Sequence, residues 1–90
     1  MNGALLRLSG DLASSGLLPW IERRAKLLSL TGWARRENDS CVTIAVVGQS
    51  PLIDAMEAAC SLGPFDVLVE EIQREDTSFT TPPNDFEVAI

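Results

Sequence analysis

Apolar side chains occupy every second position in residues 4–9, with Ala4, Leu6 and Leu8 on one side. This period of two predicts a strand with one buried face. A turn of small residues follows, and Pro19 then suits the first turn of a helix. The apolar positions of this predicted helix are Leu17, Ile21, Ala25 and Leu28. A strand, a glycine-containing turn and a helix form a junction at which backbone N–H groups can converge on an anion.

A hairpin is predicted over residues 31–47. Residues 31–36 form its first strand, residues 37–40 its polar turn, and residues 41–47 its second strand. On the second strand, the side chains expected to face the core are Val42, Ile44 and Val46. The residues expected to show a mild exposed surface on the other face are Thr43, Ala45 and Val47.

The second predicted helix has clear start and stop signals, because Ser50 can cap it, Pro51 suits its first turn, and Gly63 with Pro64 ends it. The predicted buried stripe consists of Leu52, Met56, Ala59 and Leu62, with Ala55 beside it. Residues 67–75 then predict a strand whose alternation slips at residues 70–71, which allows a bulge there. Residues 76–84 predict a loop, and residues 86–90 a short closing strand.

This order of elements predicts an α+β fold, the ferredoxin-like β-α-β-β-α-β sandwich, over a single domain of residues 1–90. Two helices would cover one face of an antiparallel sheet, with a short extra C-terminal strand. Cys41 would then point away from the helices while Cys60 lies on the second helix, so a disulfide between them is disfavoured.

Composition narrows the function further. The chain has 7 basic and 13 acidic residues, a net charge of -6, and a charge of this sign opposes binding to a nucleic-acid backbone. Its apolar runs are too short for a membrane span. Histidine is absent and the cysteines lack metal-ligand spacing, so no metal site is predicted. We expect a cytoplasmic protein with reduced thiols that is a monomer or weak dimer.

Several segments in order resemble the acylphosphatases. They are Leu8-Ser9-Gly10 with the following loop, residues 30–35 (Leu-Thr-Gly-Trp-Ala-Arg), Gly48 with Ser50-Pro51, Gly63-Pro64, and residues 86–90 (Phe-Glu-Val-Ala-Ile). The resemblance implies hydrolysis of the carboxyl–phosphate bond of acyl phosphates without metal or cofactor. It also implies that loop N–H groups and an arginine hold the phosphate, and that an asparagine on the next strand orients the attacking water.

The sequence departs from the family pattern at both side chains that the chemistry needs. The phosphate-binding arginine falls on Leu18, and the water-orienting asparagine falls on Arg36. Neither catalytic group is retained, and the basic residue of the loop becomes Asp11. The complete set of positions laid on the phosphate loop is Asp11, Leu12, Ala13, Ser14, Ser15, Gly16, Leu17 and Leu18.

Arg36 leaves two structural hypotheses open. Its guanidinium can pair with Asp11, which we favour, or it can contact a bound anion in place of the lost arginine. Residues 14–16 can equally be a plain polar turn. Three functions follow: an acylphosphatase-like domain that is inactive or strongly impaired and whose sheet or loop serves interaction or structure, which we favour; an active acylphosphatase with an altered site; and an anion-binding regulatory module that uses Arg36 and loop N–H groups. The expected partner is a small phosphate or carboxylate ligand or a protein.

Overall fold

The computed structural model describes residues 2–64, 66–79 and 83–89. Its elements follow the predicted order of strands and helices. They are β1 (Asn2–Asp11), α1 (Leu17–Leu27), β2 (Thr31–Asn38), β3 (Cys41–Val47), α2 (Ser50–Leu62), β4 (Leu68–Ser78) and β5 (Phe86–Ala89).

The five strands form one sheet in the order β4-β1-β3-β2-β5. The first four strands pair antiparallel, as predicted, and β5 adds parallel to β2, so the sheet is mixed. Two helices and this strand order make the ferredoxin-like α+β fold that the sequence predicts. β2 and β3 lie beside each other as a hairpin, which brings their connecting turn next to the end of β1.

The hydrophobic core lies between the sheet and the helices. Val42, Ile44 and Val46 are fully buried in it, as predicted. The expectation of an exposed strip at Thr43, Ala45 and Val47 is wrong, because these side chains are buried too. β3 is the central strand, so longer side chains on β1 and β2, among them Leu5 and Trp33, flank its small residues from both sides.

The helices meet the core through stripes that only partly match the predictions. On α1, Leu17, Ile21 and Ala25 are buried as predicted, Leu18 joins them, and Leu28 is half-buried just beyond the helix end.

On α2, the buried residues are Ile53, Met56 and Cys60, so the predicted stripe is correct at Met56 and wrong at Ala55 and Leu62. Leu52 packs against the core. Leu62 is 83% exposed. Ala55 is exposed, whereas Leu52 and Ala59 are half-buried. Arg74 of β4 binds the carboxylates of Asp54 and Glu57 on this helix. The hydrogen bonds that Arg74 donates, first of all the one to Glu57, raise its pKa.

The ends of α2 are set mainly by the backbone. The prediction that Ser50 caps the helix is wrong. Gln49 occupies the N-cap position and makes no side-chain cap hydrogen bond. Pro51 lies in that first turn and Gly63 ends the helix with φ of 68°, both as predicted.

β4 contains the predicted bulge. Ser9 pairs with Glu71 and Gly10 with Val69, which leaves Glu70 as the extra residue. The strand continues to Ser78, so the first residues of the predicted 76–84 loop are strand instead. They pair with the first residues of β1, which supplies the ladder that a loop would lack. Positions 80–82 of that loop, and position 90 of the closing strand, lie outside the described residues.

Candidate functional site

The candidate site is the loop of residues 12–16 between β1 and α1. The turn of the β2–β3 hairpin supports the start of this loop. Gly10 N–H donates to the Ser40 carbonyl at 3.1 Å, and Leu12 N–H donates to the Asp39 carbonyl at 3.0 Å. The tertiary structure thus attaches the loop to the hairpin that carries Arg36.

Gly10 is required where β1 enters the loop. Its φ is +151°, and a Cβ there would lie 2.1 Å from the carbonyl oxygen of Leu68. Any side chain would collide with β4 at the bulge, so the chain needs glycine to turn toward the site.

Arg36 lies under the loop and is half-buried. Its Nη1 donates to the carbonyl oxygen of Leu12, and its Nη2 donates to that of Ser14 at 2.9 Å. The predicted pair with Asp11 is wrong: among the described residues, Asp11 forms no ion pair and its side chain is exposed. Leu12 points into the core, so its neighbour Asp11 points away from the side of the sheet on which Arg36 lies.

Arg35 and Arg36 point to opposite faces of β2, as adjacent strand residues must. Arg35 donates from Nε to the carboxylate of Glu37 at 2.8 Å and lies over the ring of Trp33. The Arg35 hydrogen bond lowers the pKa of Glu37. Arg36 is therefore the member of the pair that addresses the loop, as predicted.

The hydroxyl of Ser14 joins two parts of the site. Its oxygen accepts a hydrogen bond from Gly16 N–H at 3.1 Å and donates one to the carboxylate of Asp66 at 2.5 Å. Asp66 lies in the connection between α2 and β4, 52 positions away in sequence. Sequence reasoning missed it, because nothing in the local pattern around Asp66 links that connection to the loop.

Three consecutive loop amides face no acceptor. Within the part of the chain that the structure describes, the N–H groups of Ala13, Ser14 and Ser15 make no hydrogen bond. Ala13 and Ser15 are exposed, and Ser14 is half-buried. Unpaired amides that reach the surface next to a helix N-terminus can receive an oxyanion.

The remaining loop positions belong to the core. Leu12 and Leu17 are fully buried, and Leu18 is 6% exposed. Leu18 lies at the position where the sequence resemblance expects the phosphate-binding arginine, and it packs with the other core residues. The arrangement offers amide donors to an anion, with one guanidinium beneath them and one carboxylate beside them.

Across residues 2–64, 66–79 and 83–89, no three His, Cys, Asp or Glu side chains come together in a way that could hold a metal ion. Neither of the two described helices is long and apolar enough to cross a membrane.

The family model of the acylphosphatases matches residues 5–88, which is nearly the whole chain and includes the loop, the hairpin and both helices. The chain belongs to the acylphosphatase family.

Two curated acylphosphatases illustrate the relationship. The chain is 30% identical to the one from Rhizobium etli over 83 residues, which are 92% of this chain and 88% of the relative. It is 33% identical to the one from Acidiphilium cryptum over 78 residues, covering 87% and 82% of the two chains. The crystal structure of acylphosphatase from Bacillus subtilis superposes with a TM-score of 0.92 over 100% of both chains at 19% identity. The acylphosphatase fold is thus retained from end to end.

Proposed function

We propose that this acylphosphatase-family chain does not hydrolyse acyl phosphates at an enzymatic rate. The observation that carries the proposal is Leu18, an aliphatic side chain that packs in the core where the family pattern calls for a phosphate-binding arginine. Hydrolysis of a reactive acyl phosphate depends mostly on holding the phosphate and stabilising its charge. Leu18 contributes to neither.

Arg36 supports the same proposal. A guanidinium carries donors and no acceptor, so it cannot accept a hydrogen bond from an attacking water as an amide oxygen can. Two of its nitrogens are directed to the carbonyls of Leu12 and Ser14. The position that would orient water is therefore engaged with the loop itself.

The charge around the loop also opposes a phosphate dianion. Asp66 reaches the loop through Ser14, and Asp11 is exposed at its start. One carboxylate about 6 Å from a dianion adds on the order of 2–3 kcal/mol of repulsion per unit charge at an effective dielectric of 20. Each lost donor of the catalytic type costs about 10²–10³ in rate.

The test is hydrolysis of an aryl acyl phosphate by the purified chain, with the Rhizobium etli acylphosphatase assayed in parallel. We expect the rate of hydrolysis with this chain to stay near the rate of spontaneous decay. The relative is assayed under the same conditions for comparison. Turnover far above decay would overturn the proposal. If such turnover disappeared in Arg36→Ala, it would support the altered-site alternative, an active enzyme with a relocated arginine.

A second candidate function, binding of a small oxyanion without hydrolysis, is favoured by the unpaired amides of Ala13, Ser14 and Ser15. The ligand class is a phosphate or a carboxylate. A ligand that binds the native state raises the melting temperature in a saturable manner. Stabilisation by phosphate beyond that given by chloride at equal ionic strength supports this candidate, and its absence excludes it.

We further propose a cytoplasmic protein, monomeric or weakly dimeric, that does not bind nucleic acid. The acidic net charge of -6 and the two free thiols support this. Sedimentation at two concentrations and a mobility assay with duplex DNA at low salt test the last two points.

A further inference from the structure

Arg36 bridges two carbonyl groups of the loop from one side. Its two terminal nitrogens donate to Leu12 and to Ser14, which are two residues apart. The carbonyl oxygen of Ser14 lies 3.4 Å from Leu17 N–H at the start of α1. The two contacts from Arg36 are tertiary hydrogen bonds, whereas the Leu17–Ser14 contact is local to the loop.

Because the peptide bond is planar, the two carbonyl contacts also determine where the adjoining N–H groups point. In a trans peptide the N–H points opposite to the C=O of the preceding residue, and no cis peptide occurs among the described residues. The carbonyls of Leu12 and Ser14 point to the guanidinium, so the N–H groups of Ala13 and Ser15 point away from it. Both residues are exposed. The guanidinium therefore lies behind the loop while these amides face solvent.

We propose that Arg36 is a positioning residue that holds the loop amides of Ala13 and Ser15 ready for an oxyanion, without touching the anion itself. The inference rests on the oxyanion-binding candidate above and gives a role to the residue that replaces asparagine. A cation bound to a carbonyl also polarises the peptide unit, which makes the N–H on its other side a stronger donor.

The residue type fits this role. The planar guanidinium presents two parallel donors that can engage two carbonyls at once, whereas an ammonium group is a compact point charge. Gly10 and Leu12 attach the loop entry to the hairpin turn through Ser40 and Asp39. Arg36 attaches the loop centre to the same hairpin, so β2 and its turn determine the shape of the whole segment.

The experiment follows the backbone amide resonances of the loop by NMR during titration with inorganic phosphate, and in a second arm with acetate. The variants are Arg36→Ala, Arg36→Lys and Arg36→Gln. Arg35→Ala is the matched control, since it removes the same charge from the adjacent residue on the other face of β2. All Kd values are measured well below the melting temperature of each variant, which separates affinity from stability.

In the unsubstituted chain, phosphate is expected to shift the amides of Ala13, Ser14 and Ser15 in a saturable manner. Arg36→Ala should weaken the Kd by about tenfold or more, as loss of an orienting partner does at other binding sites. Arg36→Lys should weaken it less, and Arg35→Ala should leave it within about twofold because exposed charges are screened. The acetate arm tells whether the loop accepts carboxylates as well as phosphate.

Different failures separate the two ideas. If phosphate and acetate produce no saturable shift in the unsubstituted chain, oxyanion binding and the role of Arg36 both fall. If the unsubstituted chain binds but folded Arg36→Ala binds equally well, the positioning role alone falls. Should Arg36→Ala not fold, Arg36→Lys and Arg36→Gln decide, and unchanged affinity in both would overturn the role.

Discussion

The hydroxyl of Ser14 donates a hydrogen bond to the carboxylate of Asp66, which joins the loop after β1 to the connection after α2. The same hydroxyl oxygen accepts from Gly16 N–H. Ser14 thereby takes up one amide at the start of α1 and brings a negative charge to the loop. An anion approaching the amides of Ala13 and Ser15 would meet this carboxylate nearby.

Removal of the Asp66 charge should strengthen oxyanion binding. Asp66→Asn keeps an oxygen that can accept from Ser14 and removes the negative charge. We expect the Kd for phosphate to improve by roughly three- to tenfold at low ionic strength and by less at high salt. Calorimetry or NMR titration at two salt concentrations measures the effect.

The control for that prediction is Glu87→Gln. Glu87 is exposed and neighbours the buried Phe86 on β5, so its side chain lies on the face of the sheet opposite the helices. Glu87→Gln removes one negative charge away from the loop and should leave the Kd for phosphate nearly unchanged. Equal effects of the two variants would mean that net charge, and not the Ser14–Asp66 contact, governs affinity.

Restoring the family side chains should create hydrolytic activity. Leu18→Arg combined with Arg36→Asn and Asp11→Arg supplies the phosphate-binding cation and the water-orienting amide. We expect a gain of at least about 10² in the rate of aryl acyl phosphate hydrolysis. Leu18 is 6% exposed and lies at the core edge, so an arginine there can extend its charged end to solvent.

The matched control carries Leu18→Met with the same two other substitutions, because methionine fills similar space without a charge. It should remain inactive. Circular dichroism establishes that both triple variants fold. A folded but inert arginine variant would show that the loop has been placed wrongly on the family pattern.

Alkaline pH should destabilise the protein through Cys60. Burial raises the pKa of the Cys60 thiol to about 12, whereas the unfolded thiol ionises near its ordinary pKa of about 8.5. Between these values the unfolded state binds fewer protons than the native state, so stability falls as pH rises. The contribution is intact below about pH 8.5 and decreases by about 1.4 kcal/mol per pH unit above it.

The chain suits this measurement because it has no tyrosine and Lys26 is its single lysine. Urea denaturation at about pH 7.5, 8.5, 9.5 and 10.5, on both sides of the pKa of the unfolded thiol, gives the change in the free energy of unfolding per pH unit. Cys60→Ala should flatten the alkaline decline. A decline that persists in Cys60→Ala would assign it to another group.

Two substitutions on α2 test which stripe faces the core. Met56 is fully buried, while Leu62 is 83% exposed. Met56→Ala should lower the free energy of unfolding by about 2–4 kcal/mol, and Leu62→Ala should change it by less than about 0.5 kcal/mol. Urea denaturation of both variants measures the difference. A large loss in Leu62→Ala would restore the stripe predicted from sequence.

Local patterns predicted most of the fold. The alternation in β3 correctly assigned its core-facing residues, and Gly63 correctly marked the end of α2. The slip in alternation at residues 70–71 correctly indicated the bulge. These succeed because strand alternation and helix termination depend on neighbouring residues.

Sequence patterns gave wrong predictions where contacts between distant elements determine which residues are buried. α2 is apolar on several sides, so periodicity could not say which stripe is buried, and packing against the core buries Ile53, Met56 and Cys60. The small side chains of β3 are covered by residues on β1 and β2, which a one-dimensional pattern does not place beside them. β4 extends to Ser78 because β1 offers it a partner.

By itself, the sequence determined the order of strands and helices and the family resemblance, and that resemblance predicts an arginine at Leu18 and an asparagine at Arg36, because these are properties of residue type and spacing. The tertiary structure decided that Arg36 binds loop carbonyls instead of Asp11 and that Asp66 reaches Ser14. Hydrogen-bond partners depend on which segments the sheet brings within about 3 Å of each other, and that distance is set only when β1, the β2–β3 hairpin and α2 have packed together.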